Sequence, residues 1–320
     1  MKKFYILNNL FIDQHYNINN TVELINKNKN IYYFSTDNHE CNNKVMYEYG
    51  PPNIGNIYNF CNILDINLEK IKNRKIAYYI YNDKNSYNLL NTVFLIGCYF
   101  ILKKNYKLED VLLKLIHIFN EHPTYYVDST NIYGGYTITL IDCFKSINFV
   151  YKNNIFNLNN FDYKYYAYST NLETVDFNII CDNMIITRSP QDNNELLVLK
   201  KIFLKNNIKT LIRLNSDNNY HEDLIKDKIN IIDLFFNDRT LPELDIIEKF
   251  MNIINTTDKI AIHCKAGLGR TGLLACLWLI TQRSFSTKVA IAWLRMIRPG
   301  CVHGYQGHYI ETLECLRNSI

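Results

Sequence analysis

The stretch IHCKAGLGRTG, residues 262–272, combines one cysteine, three glycines, an arginine and a threonine at a spacing that suits chemistry on an anion. Five residues separate Cys264 from Arg270, with an apolar strand pattern before the cysteine and an apolar helix pattern after the arginine. A helix that begins directly after a glycine-bearing loop directs free backbone N–H groups at one point. The pattern therefore predicts a phosphate-binding loop made of Lys265, Ala266, Gly267, Leu268 and Gly269.

The same loop suits a covalent mechanism. Its electric field favours a thiolate, so Cys264 is the expected nucleophile. Arg270 offers a planar fork for two phosphoryl oxygens. We expect Thr271 to donate its hydroxyl to the sulfur of Cys264, and His263 to support the loop without touching substrate. The alternative is an ordinary core cysteine followed by a glycine turn, but Cys-x5-Arg-Thr between a strand and a helix favours catalysis.

A phosphocysteine mechanism also needs an acid for the leaving oxygen and a base for water. Asp238, in FFNDRTLP at residues 235–242, is the expected acid and base because it follows a strand within turn-forming residues. Asp233 and Asp245 are its rivals, the first within a strand pattern and the second at a predicted helix start. Gln306 is expected to position the hydrolytic water.

The fold class predicted from these patterns is α/β, with two similar domains in tandem. RKIAYYIYN (74–82) and DKIAIHCKA (258–266) are each followed by a loop and a continuous apolar helix, which is the α/β building pattern. The first copy has neither cysteine nor arginine between Tyr79 and Asn91, so only the second can be catalytic. The predicted bounds are 1–151 for the non-catalytic domain, 152–175 for a linker and 176–320 for the catalytic domain. Further strands are predicted at 210–215 and 230–236, and further helices at 192–205, 242–254, 286–297 and 306–317.

Composition limits the alternatives. The 35 Lys and Arg residues balance 31 Asp and Glu residues to a net charge of +4, and they are scattered, so strong nucleic-acid binding is not expected. The nine cysteines show no metal-ligand spacing, which predicts no metal, no cofactor and a reducing compartment. The longest apolar run, 93–102, is too short to span a bilayer. We expect a soluble intracellular protein of the cytoplasm or nucleus, without membrane attachment.

The segments HCKAGLGRTG, LFFNDRTLP, IRPG and TLIRLN resemble the cell-division-cycle-14 family of dual-specificity cysteine phosphatases. EYGPPNIGNIYNFCNIL and YTITLIDCF resemble the non-catalytic first domain of that family. The resemblance implies tandem phosphatase-like domains with substrate in the groove between them. It also implies that the substrates are phosphoproteins. The family resemblance predicts that phosphoserine followed by proline is the preferred site, that phosphotyrosine is also hydrolysed, and that the enzyme opposes cyclin-dependent kinases. By position, the resemblance implies that Cys264 is the nucleophile and Arg270 the phosphate ligand. It implies that Asp238 is the acid and base and that Gln306 is the glutamine that positions water.

Two departures from the family pattern change the expectations. The family has a proline and a second glutamine around Gln306, where this chain has Tyr305 and Gly307. The family linker is acidic and recognises a basic residue that follows the phosphorylated residue of the substrate. The corresponding region of this chain has few carboxylates. Asp176 and Glu173 are expected to face the substrate groove and to give a weaker preference for basic peptides.

Three other functions use related chemistry. A phosphoinositide phosphatase would carry a second lysine in the loop, where this chain has Leu268. An RNA 5′-triphosphatase would need a basic approach surface, which the scattered charge does not provide. A catalytically silent phosphoprotein-binding module is disfavoured because Cys264, Arg270 and Asp238 are all present.

Overall fold

The computed structural model describes residues 2–15, 27–35, 50–81, 88–121, 125–130, 134–216, 219–257 and 259–318. The chain divides into two compact units. The first comprises Met1–Tyr126 and Thr139–Phe161, and the second comprises Val127–Ile138 and Asp162–Ile320. The segment Val127–Ile138 therefore belongs to the second unit, although its flanks in the sequence belong to the first. The unit bounds differ in this respect from the predicted domain bounds.

The first unit is built on a four-stranded sheet in the order β1-β2-β4-β3. β1 and β2 are antiparallel, whereas β2, β4 and β3 are parallel. Two short strands lie at the ends of the segment 127–138: β5 precedes it, and β6 begins at its last residue. The strands are β1 Lys2–Leu7, β2 Leu10–His15, β3 Ile31–Phe34, β4 Lys75–Tyr81, β5 Tyr125–Tyr126 and β6 Ile138–Thr139. The helices are α1 Ile54–Lys70, α2 Asn88–Leu102, α3 Leu108–Leu115, a 3₁₀ helix at Ile116–Glu121, and α4 Leu140–Lys152.

The second unit contains a five-stranded sheet in the order β10-β9-β11-β8-β7. β7 and β8 are antiparallel, and the other neighbouring pairs are parallel. The strands are β7 Phe177–Cys181, β8 Met184–Arg188, β9 Thr210–Arg213, β10 Asn230–Asp233 and β11 Ile260–Cys264. The helices are α5 Tyr163–Ser169, α6 Asn193–Lys205, a 3₁₀ helix at Glu222–Leu224, α7 Leu244–Thr256, α8 Gly269–Arg283, α9 Thr287–Ile297 and α10 Gln306–Asn318.

The two sheets repeat one arrangement. In each, an antiparallel edge hairpin is followed by the strand that leads into a buried helix, β4 before α2 and β11 before α8. Register identifies equivalent positions, because His15 pairs with Tyr81 while Arg188 pairs with Cys264. Tyr81 thus ends its strand where the second unit has its cysteine. The loop that follows, residues 82–87, lies outside the described residues.

The apolar runs in the sequence form the cores of the units. Every residue from Leu89 to Leu102 in α2 is buried, as predicted for a core helix, and β11 is buried along its whole length. Strands buried on both faces are largely apolar because neither face meets water. Among the described helices, none is both long and apolar enough to cross a membrane.

The predicted elements of the second unit agree with the structure to within a few residues. The predicted helices at 192–205, 242–254, 286–297 and 306–317 correspond to α6, α7, α9 and α10. The predicted linker differs, because 152–175 contains the helix α5 instead of irregular chain alone. Asp162 accepts from Tyr165 N at its start, and the Tyr166 hydroxyl donates to Ile297 O at 3.2 Å. This helix has only seven residues, which is too few for a helical hydrophobic pattern to be recognised in the sequence.

Candidate active site

Cys264 ends β11, and the loop Lys265–Leu268 connects it to α8. Cys264 is 3% exposed, and its sulfur accepts a hydrogen bond from Gly267 N at 3.2 Å. Gly267 has φ +67°, and a Cβ there would stand 2.3 Å from the backbone oxygen of Thr187. Only glycine fits this position, because both the conformation and the space exclude a side chain. The glycine thus allows the loop to close around the sulfur.

Arg298 directly follows α9 and stabilises the phosphate-binding loop through hydrogen bonds to its carbonyl oxygens. Its three nitrogens make five hydrogen bonds. Two of them reach loop carbonyls, Gly267 O at 2.8 Å and Ala266 O at 3.0 Å. Because C=O and N–H point to opposite sides of a trans peptide, drawing Ala266 O outward turns Gly267 N–H toward Cys264. Arg298 therefore orients the amide that contacts the sulfur.

Asp176 lies in this buried network instead of facing a substrate. Its two oxygens accept from Arg298 at 2.7 and 2.6 Å, and Asn178 Oδ1 accepts from Arg298 at 2.8 Å. Asp176 is 7% exposed. The structure thus contradicts the expectation for Asp176, because a carboxylate engaged by a buried arginine is not available to a peptide. Glu173 is exposed, and its place in a substrate groove stays a prediction.

Arg270, in the first turn of α8, is 3% exposed. Its Nη1 donates to Leu214 O at 2.9 Å and to Phe236 O at 3.0 Å, so the loops after β9 and β10 anchor it. Its Nη2 lies 3.1 Å from Asp238 Oδ1. Its Nε is buried without a hydrogen-bond partner in the described part of the chain. One edge of the guanidinium is fixed, and Nε with Nη2 offers the two-point contact that a phosphoryl group takes.

The structure separates Asp238 from its two rivals. Asp233 forms a two-point ion pair with Arg213 at 2.6 and 2.7 Å, and Asp245 pairs with Lys249 at 2.9 Å on the surface of α7. Asp238 has an exposed side chain and contacts Arg270. Of these three carboxylates, only Asp238 is joined to the guanidinium beside the loop.

His263 supports the loop from the core. Its Nε2 lies 3.0 Å from the Tyr220 hydroxyl, and its Nδ1 lies 3.3 Å from Cys264 O. Burial lowers the pKa of His263 from 6.5 to about 4, so the ring is neutral at pH 7. A neutral, buried imidazole is an orienting group and adds no charge beside the nucleophile.

Thr271 differs from its prediction. Its hydroxyl was expected to donate to Cys264, but Oγ1 is buried without a hydrogen-bond partner among the described residues. The hydrogen bond to the sulfur comes instead from Gly267 N. The loop amide therefore occupies the position that the sequence assigned to a side chain.

Gln306 begins α10, and its Oε1 accepts from His303 N at 3.2 Å. Its Nε2 lies 3.1 Å from the point where a Cβ on Gly269 would stand, so the amide reaches the end of the phosphate loop. The turn before α10 is fixed by Asp128, whose Oδ2 accepts from Gly304 N at 2.9 Å. The side chain of Gln306 therefore lies beside the first residue of α8, and its role in positioning water stays a prediction.

Sequence reasoning missed three residues of this site: Asp128, Arg298 and His303. Asp128 and Arg298 act through partners that are 176 and at least 31 residues away, and no short-range spacing records such pairs. Arg298 had one signal, since it is an arginine directly after the apolar pattern of a helix. His303 lies only three residues before Gln306, but a single histidine in a loop has no distinguishing pattern.

Comparisons with known proteins identify both halves. The family model "Dual specificity protein phosphatase, N-terminal half" matches residues 10–149, and "Dual specificity phosphatase, catalytic domain" matches residues 191–314. The chain is 32% identical over 288 residues to "Tyrosine-protein phosphatase CDC14" of Candida albicans, covering 87% of this chain and 53% of that protein. It is 30% identical over 297 residues to "Dual specificity protein phosphatase CDC14A" of Mus musculus, covering 88% and 49%.

The relationship extends through both units. A third relative, "Tyrosine-protein phosphatase CDC14" of Saccharomyces cerevisiae, is 29% identical over 301 residues, covering 87% of this chain and 54% of that protein. The chain spans about half the length of these curated relatives. The two family models follow each other in the order that the tandem fold predicts. The chain, with its two tandem phosphatase-type α/β domains, belongs to the CDC14 family of dual-specificity phosphatases.

Proposed function

We propose that this chain is a protein phosphatase that hydrolyses phosphoserine, phosphothreonine and phosphotyrosine through a phosphocysteine intermediate. One observation carries the proposal: a backbone amide contacts the sulfur of Cys264 while Asp238 meets Arg270 beside the same loop. A nucleophile, an oxyanion-binding arginine and a proton carrier thus share one site. The domain bounds proposed from the sequence assign this chemistry to the second domain, 176–320.

In the first step, the thiolate of Cys264 attacks phosphorus. The S–P bond forms while the bond between phosphorus and the substrate oxygen breaks, and Asp238 donates a proton to that oxygen. Nε and Nη2 of Arg270 bind two non-bridging oxygens, so the arriving phosphoryl group takes the contact that Asp238 holds in the free protein. This exchange releases the carboxyl group to serve the leaving oxygen.

In the second step, water attacks the phosphocysteine. The O–P bond forms, the S–P bond breaks, and the electron pair returns to the sulfur of Cys264. Asp238 accepts the proton of the water, and Gln306 holds the water in line. Inorganic phosphate then leaves the loop, and Asp238 regains its contact with Arg270.

The proposed substrates are phosphoproteins, with phosphoserine followed by proline preferred. Ala266 is exposed and Leu268 is half-buried at the loop, and these apolar side chains suit a proline ring better than a polyphosphorylated head group. The family relationship supports a role against proline-directed kinases in cell-cycle control. A catalytic thiol requires reduction, so the proposed compartment is a reducing one, the cytoplasm or the nucleus.

The burial of Asp176 supports a weaker preference for basic peptides. Each exposed carboxylate that faces a peptide cation contributes only about 0.2–1 kcal/mol, and Asp176 is engaged by Arg298. Peptides that differ only by lysine or alanine three positions after the phosphoserine should differ in kcat/KM by a few-fold. A ratio above about tenfold, or about 1.4 kcal/mol, would contradict this part of the proposal.

Acid quenching of the enzyme with a ³²P-labelled phosphoserine-proline peptide tests the main proposal. We expect a labelled protein whose label is lost in Cys264→Ser, because a hydroxyl at this position has almost no anionic form. Substrate should still bind, since the loop and Arg270 are unchanged. Turnover by purified Cys264→Ser at the wild-type rate would exclude the covalent mechanism.

A further inference from the structure

The acid loop, residues 236–242, carries the proposed proton donor and is hydrogen-bonded at both ends. At its first end, Phe236 O accepts from Nη1 of Arg270 at 3.0 Å. At its second end, Pro242 O accepts from the hydroxyl of Tyr309 at 3.0 Å. The first partner belongs to the phosphate site, whereas the second lies on α10, 67 residues further along the chain. The position of the acid loop therefore depends on α10 as well as on the phosphate site.

Between these two ends the backbone makes a tight turn. The backbone N–H and the hydroxyl of Thr240 both donate to Asn237 O, at 3.3 and 2.8 Å. Arg239, the residue directly after Asp238, has φ +59°. This is the left-handed region that favours glycine, so an arginine there is strained. Because such strain persists only where the surrounding structure holds it, the turn that presents Asp238 needs both attachments of the loop.

Pro242 has few other means of attachment. Proline lacks a backbone N–H, so its carbonyl oxygen is its only backbone hydrogen-bonding group. Pro242 is buried, while Leu241 and Glu243 on either side of it are exposed. Glu243 directly precedes α7 and makes no side-chain cap hydrogen bond. Within the described part of the chain, the bond from Tyr309 is the hydrogen bond that joins residues 239–242 to another element.

α10 holds Tyr309 in the place that this contact requires. Tyr309 lies three residues after Gln306, so the two side chains share one face of the helix. The amide of Gln306 reaches Gly269 at the end of the phosphate loop. The ring of Tyr309 is half-buried, and burial raises the pKa of Tyr309 above its ordinary 10.0, so the phenol keeps its proton and remains a donor. One face of α10 thus contacts both the phosphate loop and the acid loop.

The attachment at Pro242 becomes more important when substrate binds. In the free protein, Asp238 Oδ1 lies 3.1 Å from Nη2 of Arg270. The proposed mechanism gives that nitrogen to the phosphoryl group, so Asp238 loses its ion pair. The position of the carboxyl group then depends on the backbone of the acid loop. The loop has to keep its strained turn while the proton is donated.

We infer that Tyr309 is a positioning residue for the first step: by binding Pro242 O, it keeps the acid loop where Asp238 reaches the leaving oxygen. This inference rests on the proposed function and adds to it a side chain that acts through the backbone of the acid loop. Tyr309 transfers no proton itself, and the proton still passes from Asp238 to the substrate oxygen. Loss of the hydroxyl should therefore slow those reactions that need this proton.

Tyr309→Phe in the full chain tests the inference, because it removes the hydroxyl and keeps the ring. We expect kcat/KM for a phosphoserine peptide to fall by about threefold to tenfold, the rate equivalent of one hydrogen bond. Hydrolysis of dinitrophenyl phosphate should stay within about twofold of wild type, because its leaving group needs no proton. Inhibition by inorganic phosphate should also be unchanged. Equal losses on the two substrates would indicate damage to the phosphate site and would overturn the inference.

A double-mutant cycle with Asp238→Ala shows whether the hydroxyl acts through the acid. Single-turnover assays at high enzyme concentration measure the slow hydrolysis of the phosphoserine peptide by Asp238→Ala. Adding Tyr309→Phe to this variant should cause no further loss. A loss of the same size in both backgrounds would contradict the inference, because the hydroxyl would then act independently of Asp238.

Tyr305→Phe is the matched control. Tyr305 lies four residues before Tyr309, is 60% exposed, and its hydroxyl makes no hydrogen bond among the described residues. This variant should equal wild type on both substrates. Wild-type kcat/KM for the phosphoserine peptide in Tyr309→Phe would overturn the inference alone. Wild-type protein that forms no phosphoenzyme and hydrolyses neither substrate would overturn the proposed function and this inference with it.

Discussion

Asp176 and Arg298 form a buried two-point ion pair, with contacts of 2.7 and 2.6 Å, beneath the loop that carries Cys264. The pair joins the start of β7 to the end of α9, and the same guanidinium holds Ala266 O and Gly267 O. A charge buried at this depth is tolerated only with a partner of opposite sign. The phosphate loop therefore depends on a carboxylate that lies far from it in the sequence.

We expect Asp176→Asn to lower both stability and activity. Removing one partner of a buried ion pair costs about 3–5 kcal/mol, because Arg298 keeps its charge without compensation. Activity should fall even on small aryl phosphates, since the orientation of the Gly267 amide is lost. Urea unfolding and kcat/KM for para-nitrophenyl phosphate measure the two effects.

Glu173→Gln is the control for Asp176→Asn, because Glu173 is exposed and lies three residues earlier. It should unfold at the wild-type urea concentration and hydrolyse aryl phosphates at the wild-type rate. If Asp176→Asn keeps full stability and loses activity only on basic peptides, Asp176 faces substrate after all and the buried role is wrong.

The loss of activity in Asp238→Ala should depend on how readily the leaving group departs without a proton. We expect turnover of phosphoserine peptides to fall by about 10²–10⁴, because serine leaves poorly without a proton. The loss on an aryl phosphate should be smaller, since phenolate needs less protonation. Asp245→Ala, which removes only the surface pair with Lys249, should leave both activities unchanged. Equal losses on both substrates would assign the acid role to another group.

Asp128→Ala tests whether the segment Val127–Ile138 supports the site. The carboxylate of Asp128 is buried and accepts from Thr130 N at 2.8 Å and from Gly304 N. Leaving buried donors without an acceptor costs about 1–3 kcal/mol. We expect lower stability and slower turnover of aryl phosphates in the full chain, with Asp128→Asn intermediate because an amide oxygen still accepts. Wild-type turnover in Asp128→Ala would show that the turn before α10 holds its shape without it.

The sequence predicted those parts of the site that are contiguous in the chain. A strand, a glycine loop and a helix in direct succession place Cys264 and Arg270 together, so their spacing is informative. Asp238 was predicted with two rivals, because a carboxylate after a strand is common and only ion-pair partners separate the three. Thr271 was predicted wrongly because donors that compete for one sulfur differ by small displacements that no sequence pattern encodes.

Long-range pairs were beyond sequence reasoning for a different reason. Asp176 and Arg298 are 122 residues apart, and nothing local distinguishes a carboxylate that will be buried from one that will be exposed. The segment Val127–Ile138 lies within the first half of the chain and packs in the second unit. Such placements follow from the whole tertiary fold, whereas hydrophobic periodicity reports single elements.

The burial of His263 predicts a pH dependence of stability. Its pKa in the folded protein is about 4, below the ordinary value of 6.5, because burial disfavours the charged ring. A depressed pKa stabilises the fold above pH 6.5, and this contribution is lost as pH falls toward 4. The full loss for one such group is about 3 kcal/mol.

We therefore expect His263→Gln to lose less stability than wild type between pH 7 and pH 4, measured by urea unfolding at several pH values. Carboxylates add their own pH dependence, but they are common to both proteins and cancel in the comparison. His221→Gln, which replaces an exposed histidine, should follow wild type throughout this range. If His263→Gln also loses stability in parallel with wild type, protonation of His263 is not linked to unfolding, and the ring is not held neutral by burial. A smaller slope in His263→Gln alone would assign this part of the acid sensitivity to the histidine that contacts Tyr220 behind the nucleophile.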